Sequence, residues 1–113
     1  MLTAMPRICS FYGITIWMYH DESHHLGRPH FPARYGDDEA SVDIETVAVI
    51  VGELPPSARR LVSEWAHAHR AELLANWERA RLHLLARGDR SAPLERLPSI
   101  GAQHPATDRG NTA

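Results

Sequence analysis

Apolar positions in the first half of the chain recur every second residue. Ile14, Ile16 and Met18 alternate with Thr15, Trp17 and Tyr19 inside a β-branched and aromatic run from Ile8 to Tyr19. This is the period of a strand with one buried face. Gly13 within the run predicts a bulge or a close backbone approach. Residues 20–29 are polar and punctuated by Gly27 and Pro29, which reads as a loop. Phe31, Ala33 and Tyr35 then alternate with His30, Pro32 and Arg34. After the turn residues Gly36 to Asp38, the run Glu39–Ile44 places Ala40, Val42 and Ile44 on one face. Val47–Val51 has the continuous apolar character of a buried strand. Short connections between such runs predict an antiparallel β-meander of three or four strands within residues 8–51.

The period changes after Leu54. Pro55, Pro56 and Ser57 suit a first helical turn, and no Gly or Pro follows until Gly88, which reads as a C-terminal cap. A straight helix of about 32 residues would be about 48 Å long. A globule of this size has a radius of gyration of only about 13 Å. The apolar stripe also drifts: Leu73, Trp77, Ala80 and Leu84 centre roughly 60° round from Leu61, Val62, Trp65 and Ala66. A bend or break near His67–Arg70 is therefore expected. The fold class predicted is α+β, a small antiparallel meander packed against one bent or two consecutive helices over 56–87. Its expected core is Ile14, Ile16, Phe31, Val42, Ile44, Val49, Leu61, Val62, Trp65, Leu73 and Trp77. Residues 1–4 read as an N-terminal extension and 5–97 as a single domain, in which Leu94–Leu97 forms a short strand or docked segment. Residues 98–113 read as a disordered tail, dispensable for folding.

Composition narrows the class. The chain has 113 residues, 43% of them apolar, and one cysteine, Cys9. A lone cysteine excludes an internal disulfide and reads as a small buried hydrophobe. No apolar run approaches the roughly 20 residues of a membrane span, and the first ten residues lack a secretory layout. A cytoplasmic location is the expectation. The net charge of −2 argues against a general nucleic-acid coat. That average hides a split, because residues 1–54 carry three arginines against eight acids and residues 55–96 eight arginines against five. Every basic side chain is arginine, so the second half offers a local anion-binding face or simply a solvated helix surface.

Two constellations could carry chemistry. His20, His24, His25 and His30 fall within eleven residues, beside Asp21 and Glu22. Imidazole with carboxylate suits divalent metals, which makes His24, His25 and His30 candidate ligands; the competing reading is a polar loop of hydrogen-bonded histidines. In the helical half Trp65, His69, Glu72 and Asn76 share one face, and residues three and four apart touch. They offer a base, its orienting carboxylate and an amide. The competing reading is that these groups satisfy buried backbone and lock the helix against the sheet.

The ordered set Met5-Pro6-Arg7-Ile8, Phe11-Tyr12-Gly13-Ile14, Met18-Tyr19, Pro29-His30-Phe31, Ala33-Arg34-Tyr35, Asp43-Ile44-Glu45-Thr46, Glu64-Trp65, His69-Arg70, Glu72-Leu73-Leu74 and Asn76-Trp77-Glu78 resembles a bacterial family, the domain of unknown function DUF4160. The resemblance covers about residues 5–97. That family usually reads Pro-His-Phe-His-Ala before the tyrosine of its second strand, whereas Pro32 stands here for the second histidine. Two residues apart on a strand, that pair would share a face, so the resemblance implies a weakened imidazole site in this member. His24 and His25 match the family's longer-loop form. The family's activity is not established. Its members are small stand-alone proteins, often encoded beside another small uncharacterised protein in an arrangement similar to toxin–antitoxin pairs.

Two functional readings follow. The first is a protein-interaction component of such a two-gene module, with a small partner protein encoded nearby and exposed edge strands available for pairing. The second is a small metal- or histidine-dependent hydrolase acting on RNA. It would use His30 and His69 as acid and base, supported by Glu72 and Asn76, with Arg34 or Arg70 holding phosphate and Tyr35 and Trp65 walling the site. Only this second reading involves a nucleic acid or a divalent metal.

Overall fold

The computed structural model describes residues 7–19, 28–88 and 92–99. The elements are, in chain order, β1 (Arg7–Phe11), β2 (Ile14–Trp17), β3 (His30–Tyr35), β4 (Asp38–Asp43), β5 (Val49–Gly52), α1 (Pro56–Ala68) and α2 (Arg70–Arg87). The sheet runs β1-β2-β3-β4-β5 with every neighbour antiparallel. The α+β meander is as expected, with five strands in place of three or four. The extra strand comes from the Ile8–Tyr19 run, which is a hairpin and not one bulged strand. Tyr12 and Gly13 both have positive φ, 50° and 80°, as a two-residue type I′ turn requires. Tyrosine is unusual at such a turn, so the sequence lacked the Asn-Gly or Asp-Gly signal that marks one.

The second hairpin is made by Gly36 and Asp37, with Gly36 at φ 61°. It sets the register Phe31↔Val42 and Ala33↔Ala40. Those residues, with Ile14, Ile16, Ile44, Val62, Trp65 and Leu73, are buried in one core. Val49 and Leu61, expected in it, are partly buried and pack against it. The connection from β4 to β5 turns on Asp43. Its Oδ1 accepts from the backbone N–H groups of Glu45 and Thr46 at 2.7 and 2.8 Å, and Val47 N–H returns to the Asp43 carbonyl at 2.8 Å. Val47 closes this turn at φ 64°, a left-handed conformation that a β-branched residue adopts only under strain.

The helical stretch breaks at one residue. His69 has φ −115° and ψ 24°, and its N–H is shared between the Trp65 and Ala66 carbonyls. α2 ends at Gly88, which is left-handed and donates to the Leu84 carbonyl at 2.7 Å. Its last turns leave Leu82 and Leu85 exposed. No helix among the described residues is long and apolar enough to cross a membrane.

The segment 92–99 docks back on the sheet. Leu97 N–H donates to the Ile8 carbonyl at 2.8 Å, and Ala92 and Leu97 are buried. The Pro98 carbonyl accepts from the Trp65 indole at 2.8 Å and from the Cys9 thiol at 3.5 Å. Burial pushes the Cys9 thiol above its ordinary value, against the opposing pull of the Ser10 backbone and Arg96. The outer side of β1 is thus met by this segment through one backbone bond, whereas no described segment bonds the outer side of β5. Residues 1–4, most of the 20–29 loop and the tail beyond Ser99 lie outside the described residues.

The close approach of β5 to β4 gives a test. Gly52 has φ 81°, and a Cβ there would sit 2.2 Å from the Glu39 carbonyl oxygen. Gly36 is also left-handed, but a Cβ would meet nothing within 4 Å. In urea unfolding, Gly52→Ala should lose about 2–4 kcal/mol and Gly36→Ala only about 1 kcal/mol.

Candidate functional site

The histidine-bearing face of the kinked helix forms first from the break itself. His69 is 5% exposed. Its ring lies 5.4 Å from that of Trp65, and Nδ1–H donates to Glu72 Oε1 at 3.1 Å. That tautomer leaves Nε2 as an acceptor, and it is buried without a hydrogen-bond partner among the described residues. His69 and Glu72, three residues apart, are therefore hydrogen-bonded to each other. Asn76 is engaged elsewhere: its side-chain amide donates to the Glu95 carbonyl at 2.9 Å, while its oxygen accepts from Glu95 N–H at 3.0 Å and from Arg79 at 3.0 Å. This pairing imitates a strand ladder and holds the 92–99 segment against α2.

His30 belongs to a different corner. Its Nδ1–H donates to the Arg28 carbonyl at 2.6 Å, and its ring lies 5.0 Å from that of Trp77. It pairs in register with Asp43, whose carboxylate is bonded by the Arg28 guanidinium. Burial raises the Asp43 pKa, but the N–H donors of Thr46 and Glu45 and the Arg28 charge outweigh it, so the carboxyl lies below its ordinary value. His30 and His69 stack on separate indoles, and no described hydrogen bond or ring contact joins them.

The other candidates are spread out. Arg34 and Tyr35 lie at the far end of the six-residue β3 that His30 begins. Arg34 reaches Glu39 at 3.3 Å and lies over Trp17 at 5.7 Å, and Tyr35 is partly exposed. Trp65 has no exposed surface. Arg70 bonds the Ile44 carbonyl at 3.3 Å and His67 Nδ1 at 3.1 Å. Of the metal trio, His24 and His25 lie outside the described residues. Among the described residues no three metal-ligating side chains converge.

What sequence reasoning missed is a groove. It lies between the start of β5 and the outer side of α1, with a volume of about 800 Å³, an apolar floor of Val47, Val49 and Pro56, and a wall of Arg59, Ser63 and Glu64. A second hollow of about 500 Å³ continues it past Ser63 and Glu64 to His67 and Ala68. The strained Val47 lines it, and the open edge of β5 adjoins it. No local signal marked this place, because Val47 reads as an ordinary strand residue and Arg59 as an ordinary solvated charge.

The sequence profile of the domain of unknown function DUF4160 matches residues 13–78, more than half of the chain. The chain belongs to the DUF4160 family. No curated protein and no solved structure matches it. The DUF4160 match takes in β2 to β5, α1 and the first half of α2, and so both buried histidines, the Asp43 turn and every residue of the groove.

Two variants separate the roles of these groups. His69→Ala should lower stability by about 2 kcal/mol, since a ring packed on Trp65 is lost, whereas His69→Leu should recover most of it by filling the space without an unpaired nitrogen. Thermal or urea unfolding measures both. Asp43→Asn should cost about 1–3 kcal/mol at neutral pH. A depressed carboxyl keeps its stabilising charge below the ordinary range and loses it as pH falls through its own lower pKa. The gap between wild type and Asp43→Asn should therefore narrow in acid.

Proposed function

We propose that the protein is an interaction component that takes up an extended segment of a small partner protein along β5, within a two-gene module of the toxin–antitoxin kind. One observation carries this reading: among the described residues, one edge of the sheet is met by the chain's own 92–99 segment and the other has no neighbour. Leu97 occupies β1 at Ile8, while β5 presents the sequence Val-Ile-Val-Gly with no charge in it and with Val51 53% exposed. An uncharged, uncovered edge strand is what soluble proteins avoid unless a partner completes it. Strand addition gives affinity through main-chain hydrogen bonds and specificity through alternate side chains.

A second reading has one observation in its favour, the unpartnered Nε2 of His69 beside Glu72. A carboxylate-oriented imidazole with a free second nitrogen is the form of a general base, which supports a small hydrolase acting on RNA through His30 and His69. The depth of His69 and the separate seating of His30 favour the interaction reading.

The test is coexpression with the product of the adjacent gene, followed by amide hydrogen exchange on the purified complex. Slowed exchange centred on Val49–Gly52 is the expected result. Protection confined to the surroundings of His30 and His69, or loss of RNA cleavage in a stably folded His69→Leu variant, would overturn it in favour of the hydrolase.

A further inference from the structure

The groove beside β5 has a shape and a charge that restrict what can fill it. Its floor is apolar, and its wall is one face of α1, whose 13 residues measure about 20 Å. An extended segment of about six residues spans the same length. In such a segment alternate side chains point the same way, so one set would rest on Val47, Val49 and Pro56.

The wall carries unequal charges. Arg60 is tied to Glu64 at 3.4 Å, one turn along the helix. The Arg59 guanidinium has no partner among the described residues, and its backbone N–H is held by the Pro55 carbonyl. α1 also has no acidic residue in its first turn and no side-chain cap, so nothing on the helix offsets the positive pole there. The groove therefore ends in an unneutralised positive charge above an apolar floor. Val47 adds an independent sign, since backbone strain kept in a β-branched residue gathers at functional surfaces.

We propose that this groove selects an extended partner segment of about six residues, with alternate apolar side chains and one carboxylate that meets Arg59. The proposal rests on the reading that β5 takes up a partner strand, and adds the chemistry that decides which strand. Peptide is favoured over nucleic acid because the floor is apolar and the adjoining edge offers a main-chain ladder.

The experiment selects random octapeptides displayed on phage against the full chain, and measures the best synthetic peptide by fluorescence anisotropy. Alternating apolar residues with Asp or Glu at one fixed position are expected. Arg59→Glu should weaken that peptide by about tenfold, and a peptide with Lys in place of the acid should recover binding to that variant. N-methylation of alternate peptide residues should abolish binding in one register and spare it in the other. Selected peptides with no fixed acid, or an unchanged affinity for Arg59→Glu while N-methylation still abolishes binding, would overturn the charge selection and leave strand addition standing. No selected peptide, or tolerance of N-methylation at every position, would overturn both. A stable dimer in sedimentation that the peptide cannot dissociate would assign the groove to a second copy of the chain and overturn the proposal.

Discussion

Trp65 is the residue on which the rest of the molecule depends. Its indole is wholly buried and lies 5.6 Å from the ring of Phe11, 6.0 Å from Phe31 and 5.4 Å from His69. One side chain of α1 thereby joins two strands of the meander to the residue at which the helix breaks. An indole N–H in an apolar interior needs an acceptor, and the one present is the carbonyl of Pro98, 33 residues further along. That single requirement draws the C-terminal segment across the core, where Leu97 then reaches β1 and Asn76 holds Glu95. Hydrophobic burial supplies the driving force, but the polar atom of the largest core residue fixes where the chain must end up.

The same economy explains the buried polar groups. Asp43, His30, His69 and Asn76 are all nearly inaccessible, and three of them hold backbone that the strands and helices leave unpaired. Asp43 closes the turn before β5, His30 binds the Arg28 carbonyl, and Asn76 pairs with a segment that has no ladder of its own. His69 differs. It sits where the helix breaks, pairs with Glu72 and has one nitrogen without a partner among the described residues; a buried nitrogen left unpaired costs about 1–3 kcal/mol, which packing against Trp65 offsets.

Most of the fold was legible in the sequence, because alternation of apolar residues and the drift of a helical stripe are local patterns. The break at His69 fell inside the predicted interval, since a 32-residue stripe cannot stay on one face of a small sheet. The Tyr12–Gly13 hairpin was not legible, because tyrosine is a rare choice for its positive φ. The candidate site was legible only in pairs. His69 and Glu72 meet because they are three apart on a helix, whereas the roles of Asn76 and His30 depend on Glu95 and Arg28, which no spacing relates to them. The groove was invisible for a similar reason. It is made by a strand and a helix passing each other, and neither carries an unusual residue type.

The asymmetry of the two sheet edges has a consequence for assembly. A strand added to β5 finds no matching vacancy at β1, since Leu97 is already bonded to Ile8 there. Head-to-tail stacking of sheets needs two free complementary edges on each molecule, and growth without closure is what produces fibres. Among the described residues only the β5 edge lacks a neighbour, so strand addition there would not regenerate a second open edge. An apolar edge of the Val-Ile-Val type is normally an aggregation hazard. Here the 92–99 segment occupies the Ile8 carbonyl of β1, so a molecule paired through β5 would present a blocked edge, and not a second open one, to the next.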